Sequence, residues 1–251
     1  MLVDEMTQHW LGEDAPGSAP SAPAPGSTPN APSASPAAPA PSATPAASTK
    51  VRTYRSITRE QFLMREMRIV ARLLLDGVSA DEIVQQAVQD NIFQYPTTTM
   101  TGNIARACLM RFDALGPAHE QVTALIAHGT PTQAAQANLY AMARTYAIVW
   151  EFLVRVVGWH YSTLDYNLTI PDINVFFADM QSEQPAFASW SESTFAKTRQ
   201  VLRKSLVESG QLEDSRSTKL IPVFLDPEVR NAIRLNGDNQ ILPAFNCMEV
   251  A

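Results

Sequence analysis

Apolar and polar positions alternate at helical spacing over most of the chain from about residue 59 to about 236. Leu63, Met67, Val70 and Leu74 fall on one face of a 3.6-residue repeat, joined by Phe62, Ile69 and Leu73, while Arg65, Arg68 and Arg72 line the opposite face. Ile104, Cys108, Phe112 and Leu115 form a second apolar stripe, with Asn103, Arg106 and Met110 facing away. In a third, Phe195, Leu202 and Leu206 oppose Lys197, Gln200 and Lys204, with Arg199 and Arg203 at the edges.

Caps and stops frame these stripes. Thr58 with Gln61, Ser79 with Glu82, Thr130 with Gln133 and Ser189 with Glu192 fit capping boxes. Pro131 suits a first helical position, and Asp226-Pro227 opens a further helix. Gly77, Gly116, Gly129, Gly158, Gly210 and Gly237 stand where helical patterns stop. The signals predict helices over 59–76, 80–90, 101–115, 119–128, 131–157, 171–184, 190–209 and 227–236. The segment 131–157 is apolar nearly all round, with Leu139, Met142, Tyr146, Val149, Trp150, Leu153 and Val157, as expected of the spine of a bundle.

The expected fold is therefore all-α, in two lobes. Residues 50–166 form an N-terminal helical bundle with helix-turn-helix-like elements. Residues 167–251 form a C-terminal winged-helix-like lobe, in which the helix 190–209 leads through a polar turn into Leu220–Leu225, a segment of strand-like composition. Pro222 lacks an N–H, so a strand there is an edge strand, the position of a small β wing.

Composition separates the start of the chain from the rest. Residues 15–49 are almost entirely Ala, Pro, Ser, Thr and Gly, and 10 of the 18 prolines precede residue 50. Such a stretch has too little apolar surface to offset its ordering entropy, so 1–49 is expected to be a disordered tether. Its acidic start, MLVDEMTQHWLGED, lacks the basic and apolar regions of a signal peptide. No membrane span is expected, because the most apolar stretch carries Arg144, Glu151 and Arg155. Two cysteines, Cys108 and Cys247, make no disulfide framework and suit a reducing cytoplasm.

Charge narrows the function. Four of the 25 acids precede Lys50 and none of the 19 bases does, leaving 19 against 21 in the remainder. A nucleic-acid reader of this balance concentrates its cations locally. Lys50, Arg52, Arg55, Arg59, Arg65, Arg68 and Arg72 form the most basic region, against Glu60 and Glu66. It suits phosphates. Asn103 and Arg106 are base-reading side chains behind a Thr-rich helix start, where backbone N–H groups favour phosphate. Lys197, Gln200, Arg203 and Lys204 would face duplex DNA, with Arg216 and Lys219 on its backbone from the wing. The competing reading of each stripe is a solvated helix face. The chain has no phosphate-binding glycine loop, paired-histidine zinc motif or nucleophile elbow, and its four histidines are scattered. No enzyme activity, metal or cofactor is expected.

A family resemblance follows from these motifs. The helix start Trp190-Ser191 with Thr194, the turn Leu212, Asp214, Arg216 and Ser217, and Pro222 beyond it resemble the BrxA family, a small component of the BREX phage-resistance systems of bacteria and archaea. MREMRIVARLLLDGVSADEIVQQAVQDNIFQ resembles the family's opening helices. The likeness covers about residues 55–245 and leaves out the Pro/Ala-rich start. It implies a non-enzymatic, all-helical DNA-binding protein with helix-turn-helix-like modules, acting beside the other components of the defence system. The family has also been compared with NusB-like RNA-binding proteins. RNA binding is thus the alternative, and a protein–protein scaffold with solvated basic faces is the third reading.

Overall fold

Ten α-helices account for most of the described residues (52, 54–58 and 61–248) of the computed structural model. They are α1 (Met64–Leu75), α2 (Ala80–Gln89), α3 (Thr98–Asp113), α4 (His119–His128), α5 (Pro131–Thr145), α6 (Ala147–Phe152), α7 (Gly158–Ser162), α8 (Ile170–Glu183), α9 (Glu192–Glu208) and α10 (Pro227–Leu235). Short 3₁₀ turns cover Gly116–Ala118, Pro185–Ser189 and Asn239–Phe245. The described chain is mainly helical, as its apolar spacing requires. The expected tether 1–49 lies outside the described residues.

Local signals placed many of the helix ends. Ser79 and Glu82 cap α2 reciprocally, as Thr130 and Gln133 cap α5, and the Asp226 side chain accepts from the Glu228 N–H at the start of α10. Gly77, Gly210 and Gly237 follow their helices with φ of 80°, 78° and 70°, a region glycine enters without steric cost.

The core is built around α5, which packs on α1, α3, α4 and α10, while α2 lies on α3 and α1 on α4. The continuous helix expected over 131–157 is divided. Tyr146 takes an extended conformation (φ −114°, ψ 116°), α6 follows, and Leu153–Val157 winds as a π-turn into α7. Leu139, Met142, Tyr146, Val149, Trp150, Leu153 and Val157 all remain buried, so the core pattern survives the breaks. Gly158 does not stop a helix either. A Cβ there would stand 3.2 Å from the Leu153 carbonyl oxygen, 3.3 Å from the Ala244 nitrogen and 3.4 Å from Pro243 Cβ, so the missing side chain lets the Asn239–Phe245 turn pack closely.

Two helix starts also differ from expectation. α1 begins at Met64, after Leu63 in the left-handed region (φ 56°), not at the Thr58–Gln61 box. Buried Arg111 donates to the carbonyls of Gln61 and Phe62, and Asn138 Nδ2 donates to the Phe62 carbonyl at 2.7 Å. These tertiary bonds hold the preceding chain off the helix. α9 is capped by Ser191, whose Oγ accepts from the Thr194 N–H at 3.2 Å, in place of Ser189. Ser189 ends a 3₁₀ turn whose Phe187 packs against Trp190 and Phe195, at ring-centroid distances of 4.4 and 6.2 Å. That aromatic cluster sets the entry two residues later.

Among the described residues Leu220–Leu225 forms no strand, and the isolated β-bridge there pairs Asn167 with Lys219. The segment is a strap held largely by side chains. Tyr161 Oη donates to the Ile221 carbonyl at 2.7 Å, and Gln136 Nε2 to the Phe224 carbonyl at 2.9 Å. Its neighbours are helices, and Pro222 offers no N–H, so no ladder extends from the bridge. Behind it, Asp238 accepts from Tyr140 Oη at 2.7 Å and pairs with Arg144 and with Arg52, whose guanidinium lies 3.4 Å from the Trp150 ring centroid. Each buried charge there has an opposite partner, the condition for tolerating burial.

Candidate nucleic-acid interface

On α9 the expected division of faces holds. Phe195, Leu202 and Leu206 are buried, whereas Lys197, Gln200 and Lys204 are exposed. The Lys204 ammonium donates to Gln61 Oε1 at 2.8 Å and lies 3.7 Å from a Glu208 carboxylate oxygen. Arg203 is turned inward. Its guanidinium donates to the Ser215 carbonyl at 3.0 Å and the Ser217 carbonyl at 2.7 Å, and burial holds its pKa below the usual arginine value. It fastens the polar turn to the helix. Asp214 shapes the same turn by accepting from the N–H groups of Arg216 and Ser217 at 2.6 and 2.8 Å, bonds that hold its carboxyl below the usual range. Arg216 and Lys219 are exposed beside α9.

The α1 stripe divides by role. Arg68 donates to the carbonyls of Ile126 and Gly129 at 3.2 and 3.0 Å, so it caps the end of α4, where backbone acceptors lack helical donors. Arg65 is exposed and reaches the Phe93 carbonyl at 3.4 Å, and Arg72 is exposed in the last turn of α1. On α3, Thr97 Oγ accepts from the Met100 N–H at 3.2 Å, and Asn103 and Arg106 are exposed in the following turns. Gly102 makes room for the arginine: a Cβ there would stand 3.2 Å from Arg106 Nη1.

The three regions meet in a groove. One cleft is lined by Arg55, Ser56, Thr58, Asn103, Ile104 and Arg106, the next by Gln61, Arg65, Arg68, Ile104, Lys204 and Glu208, with Glu66 and Tyr95. Ile104 is common to both, so the surface runs from the 55–58 segment across α3 to α1 and α9. Five cations (Arg55, Arg65, Arg68, Arg106 and Lys204) line it against the carboxylates Glu66 and Glu208. Glu66 is 8% exposed and accepts from Tyr95 Oη at 3.1 Å. Burial, and then the Glu66 charge, push the Tyr95 phenol up to about 12.

Guanidinium, ammonium and hydroxyl groups in one groove suit phosphate oxygens, and Asn103 with Arg106 suits base edges. Spacing identified the cations of α3 and α9. It did not reveal Gln61 as the joint between α9 and α1, nor that Arg55 lies against Met110 of α3, its Nη1 3.4 Å from the sulfur. The basic run before α1 was the available signal for Arg55; Gln61 carried none. Among the described residues no group of three His, Cys, Asp or Glu side chains is placed to hold a metal ion, and no helix is long and apolar enough to cross a membrane.

Comparison with known proteins adds family and fold. The BrxA family model matches residues 53–237. The chain is 30% identical over 191 residues to the BREX protein BrxA of Bacillus cereus (strain H3081.97), covering 75% of this chain and 94% of that protein. It is 27% identical over 180 residues to the BREX protein BrxA of Escherichia coli O9:H4 (strain HS), covering 72% and 83%. A crystal structure of an uncharacterized protein from Magnetospirillum magneticum superposes with a TM-score of 0.66 at 23% identity, over 76% of this chain and 97% of that one. At that identity the likeness speaks to the fold.

Proposed function

This chain belongs to the BrxA family, and from that premise we propose that it is a duplex-DNA-binding accessory protein of a BREX-type anti-phage defence system, acting in the cytoplasm beside other components of that system and without catalytic activity of its own. The observation that carries the reading is the junction of Lys204 with Gln61. It joins the exposed α9 face to the α1–α3 groove in one basic strip.

Within this reading, α9 and its following turn act as a winged-helix-like unit without a strand ladder, and α2 with α3 as a helix-turn-helix-like unit. Lys197, Gln200 and Lys204 approach the duplex from α9, while Arg216 and Lys219 take phosphates beside it. Asn103 and Arg106 reach base edges, and Arg65 and Arg72 flank them on phosphates. Arg203 supports the surface from behind, and Arg68 lines the groove while its guanidinium caps α4. The mechanism is electrostatic docking, with affinity that falls steeply as salt displaces the phosphate contacts.

Fluorescence anisotropy with labelled duplex DNA, single-stranded DNA and an RNA hairpin, at about 50 and about 200 mM salt, tests the reading. Duplex DNA should bind most tightly, with a steep salt dependence. Preference for RNA would transfer the groove to the NusB-like alternative, and no binding to any of the three would leave a scaffold.

A further inference from the structure

The α7–α8 face has the opposite character to the basic groove. Trp159 is 53% exposed and Val175 60%, although Trp150 is buried and Trp190 half-buried. Trp159 and Val175 line a small cleft together with Arg155, His160, Asp172 and Asp179. Large apolar side chains grouped in this way mark interaction surfaces more often than isolated ones do.

Charge specifies the occupant. Between residues 147 and 189 the chain carries Glu151, Asp165, Asp172, Asp179 and Glu183 against the single base Arg155. Arg155 bonds Glu151 and Glu183, each at 2.7 Å, which offsets part of the negative charge at that end of the face. Asp172 and Asp179 then rim the exposed indole. Asp172 is 3.7 Å from the buried His160 ring nitrogen, and His160 meets Trp159 edge-on, with ring centroids 5.0 Å apart, so indole and carboxylate are held by a common support. Such a rim repels nucleic acid and anionic lipid. It attracts lysine and arginine, whose aliphatic stems cover apolar surface while the cationic heads reach carboxylates or lie over an indole.

We propose that the α7–α8 face docks a basic, amphipathic segment of another protein, seating a lysine or arginine over Trp159 between Asp172 and Asp179, with an apolar neighbour on Val175. The face shares no residue with the basic groove, so the protein segment and DNA bind at the same time.

The test uses the full chain and a labelled peptide with Leu on one helical face and Lys on the other, compared with the same peptide carrying Glu in place of Lys. The Lys peptide should bind, equally well with and without saturating duplex DNA, and the Glu peptide should not. Its binding should shift the indole emission of the parent to the blue but leave that of Trp159→Phe unshifted. Asp179→Lys and the double variant Trp159→Ser, Val175→Ser should each weaken binding about ten-fold. The control Asp76→Lys, Asp81→Lys, on exposed positions elsewhere, should not. Should the double variant lose its helical signal, Asp179→Lys and the Trp159→Phe emission decide alone. The proposal is overturned if the Lys peptide fails to bind, if the control weakens it as much, or if the emission shift survives Trp159→Phe. Self-association of the parent that Asp179→Lys abolishes would assign the face to a second copy and overturn it equally.

Discussion

The Lys204 ammonium donates a 2.8 Å hydrogen bond to the side-chain carbonyl of Gln61, 143 residues away in the chain. Lys204 lies near the C-terminal end of the exposed face of α9, and Gln61 just precedes α1, beside Arg65. The bond places an α9 cation at the edge of the groove that α1 and α3 form. Lys204 of one basic region therefore lines the same groove as Arg65 of another, far apart in the chain.

That surface predicts a shared salt response. Replacing Lys197 and Lys204 together by Ala should weaken duplex binding and make the log–log salt slope shallower by about two, one for each phosphate contact. Thermal stability should fall little, because both side chains are exposed and the Lys204 bonds to Gln61 and Glu208 are solvated. Anisotropy titrations across salt, with melts in parallel, measure both. Unchanged binding would take α9 out of the interface, leaving Asn103→Ala with Arg106→Ala as the next variant.

Arg203 and Arg216 should respond in opposite ways. Arg203→Ala removes the charged donor from the Ser215 and Ser217 carbonyls, at a cost of about 1–2 kcal/mol, limited because those carbonyls lie on a solvated turn. Arg216→Ala should weaken DNA binding with stability intact. Urea midpoints alongside anisotropy separate the two. An Arg203 variant of full stability would remove its fastening role.

The core offers two stability tests. Leu202 is 1% exposed, so Leu202→Ala should cost about 2–5 kcal/mol. Gly158→Ala should cost about 1–3 kcal/mol, because the added Cβ meets Leu153, Pro243 and Ala244. Circular-dichroism melts give both values. A neutral Gly158→Ala would mean that the Asn239–Phe245 turn shifts freely.

Alkaline pH should loosen the fold through Tyr95. Burial and Glu66 raise its folded pKa to about 12, above the ordinary value of 10.0. The neutral phenol therefore contributes stability that is complete below pH 10 and is lost as pH rises toward 12. Tyr95→Phe should show a smaller fall in melting temperature across that window than the parent. Parallel falls would assign the alkaline loss to other groups.

Removal of residues 1–49 is expected to leave both the melting temperature and duplex affinity unchanged, since that stretch contains no lysine or arginine. A truncated protein that melts much lower would move the domain boundary toward the N-terminus.

Local chemistry determined much of the architecture and part of the interface. Ser79, Thr130 and Asp226 start helices by bonding within their own first turn, and Gly77, Gly210 and Gly237 end them through left-handed backbone, so sequence neighbours suffice to read them. Helical spacing likewise exposed Lys197, Gln200 and Lys204 opposite Phe195, Leu202 and Leu206, and Asn103 with Arg106 opposite Ile104 and Cys108. Tertiary structure decided which arginines are tied to backbone carbonyls. A guanidinium carries several donors and turns toward unsatisfied carbonyls. For Arg68 these lie at the end of α4, for Arg111 just before α1, and for Arg203 in the turn after α9. Long-range packing also moved the start of α1, made Gly158 a packing contact and left Leu220–Leu225 a strap among helices. Apart from the missing N–H of Pro222, these outcomes depend on acceptors or neighbours that only the folded chain brings near.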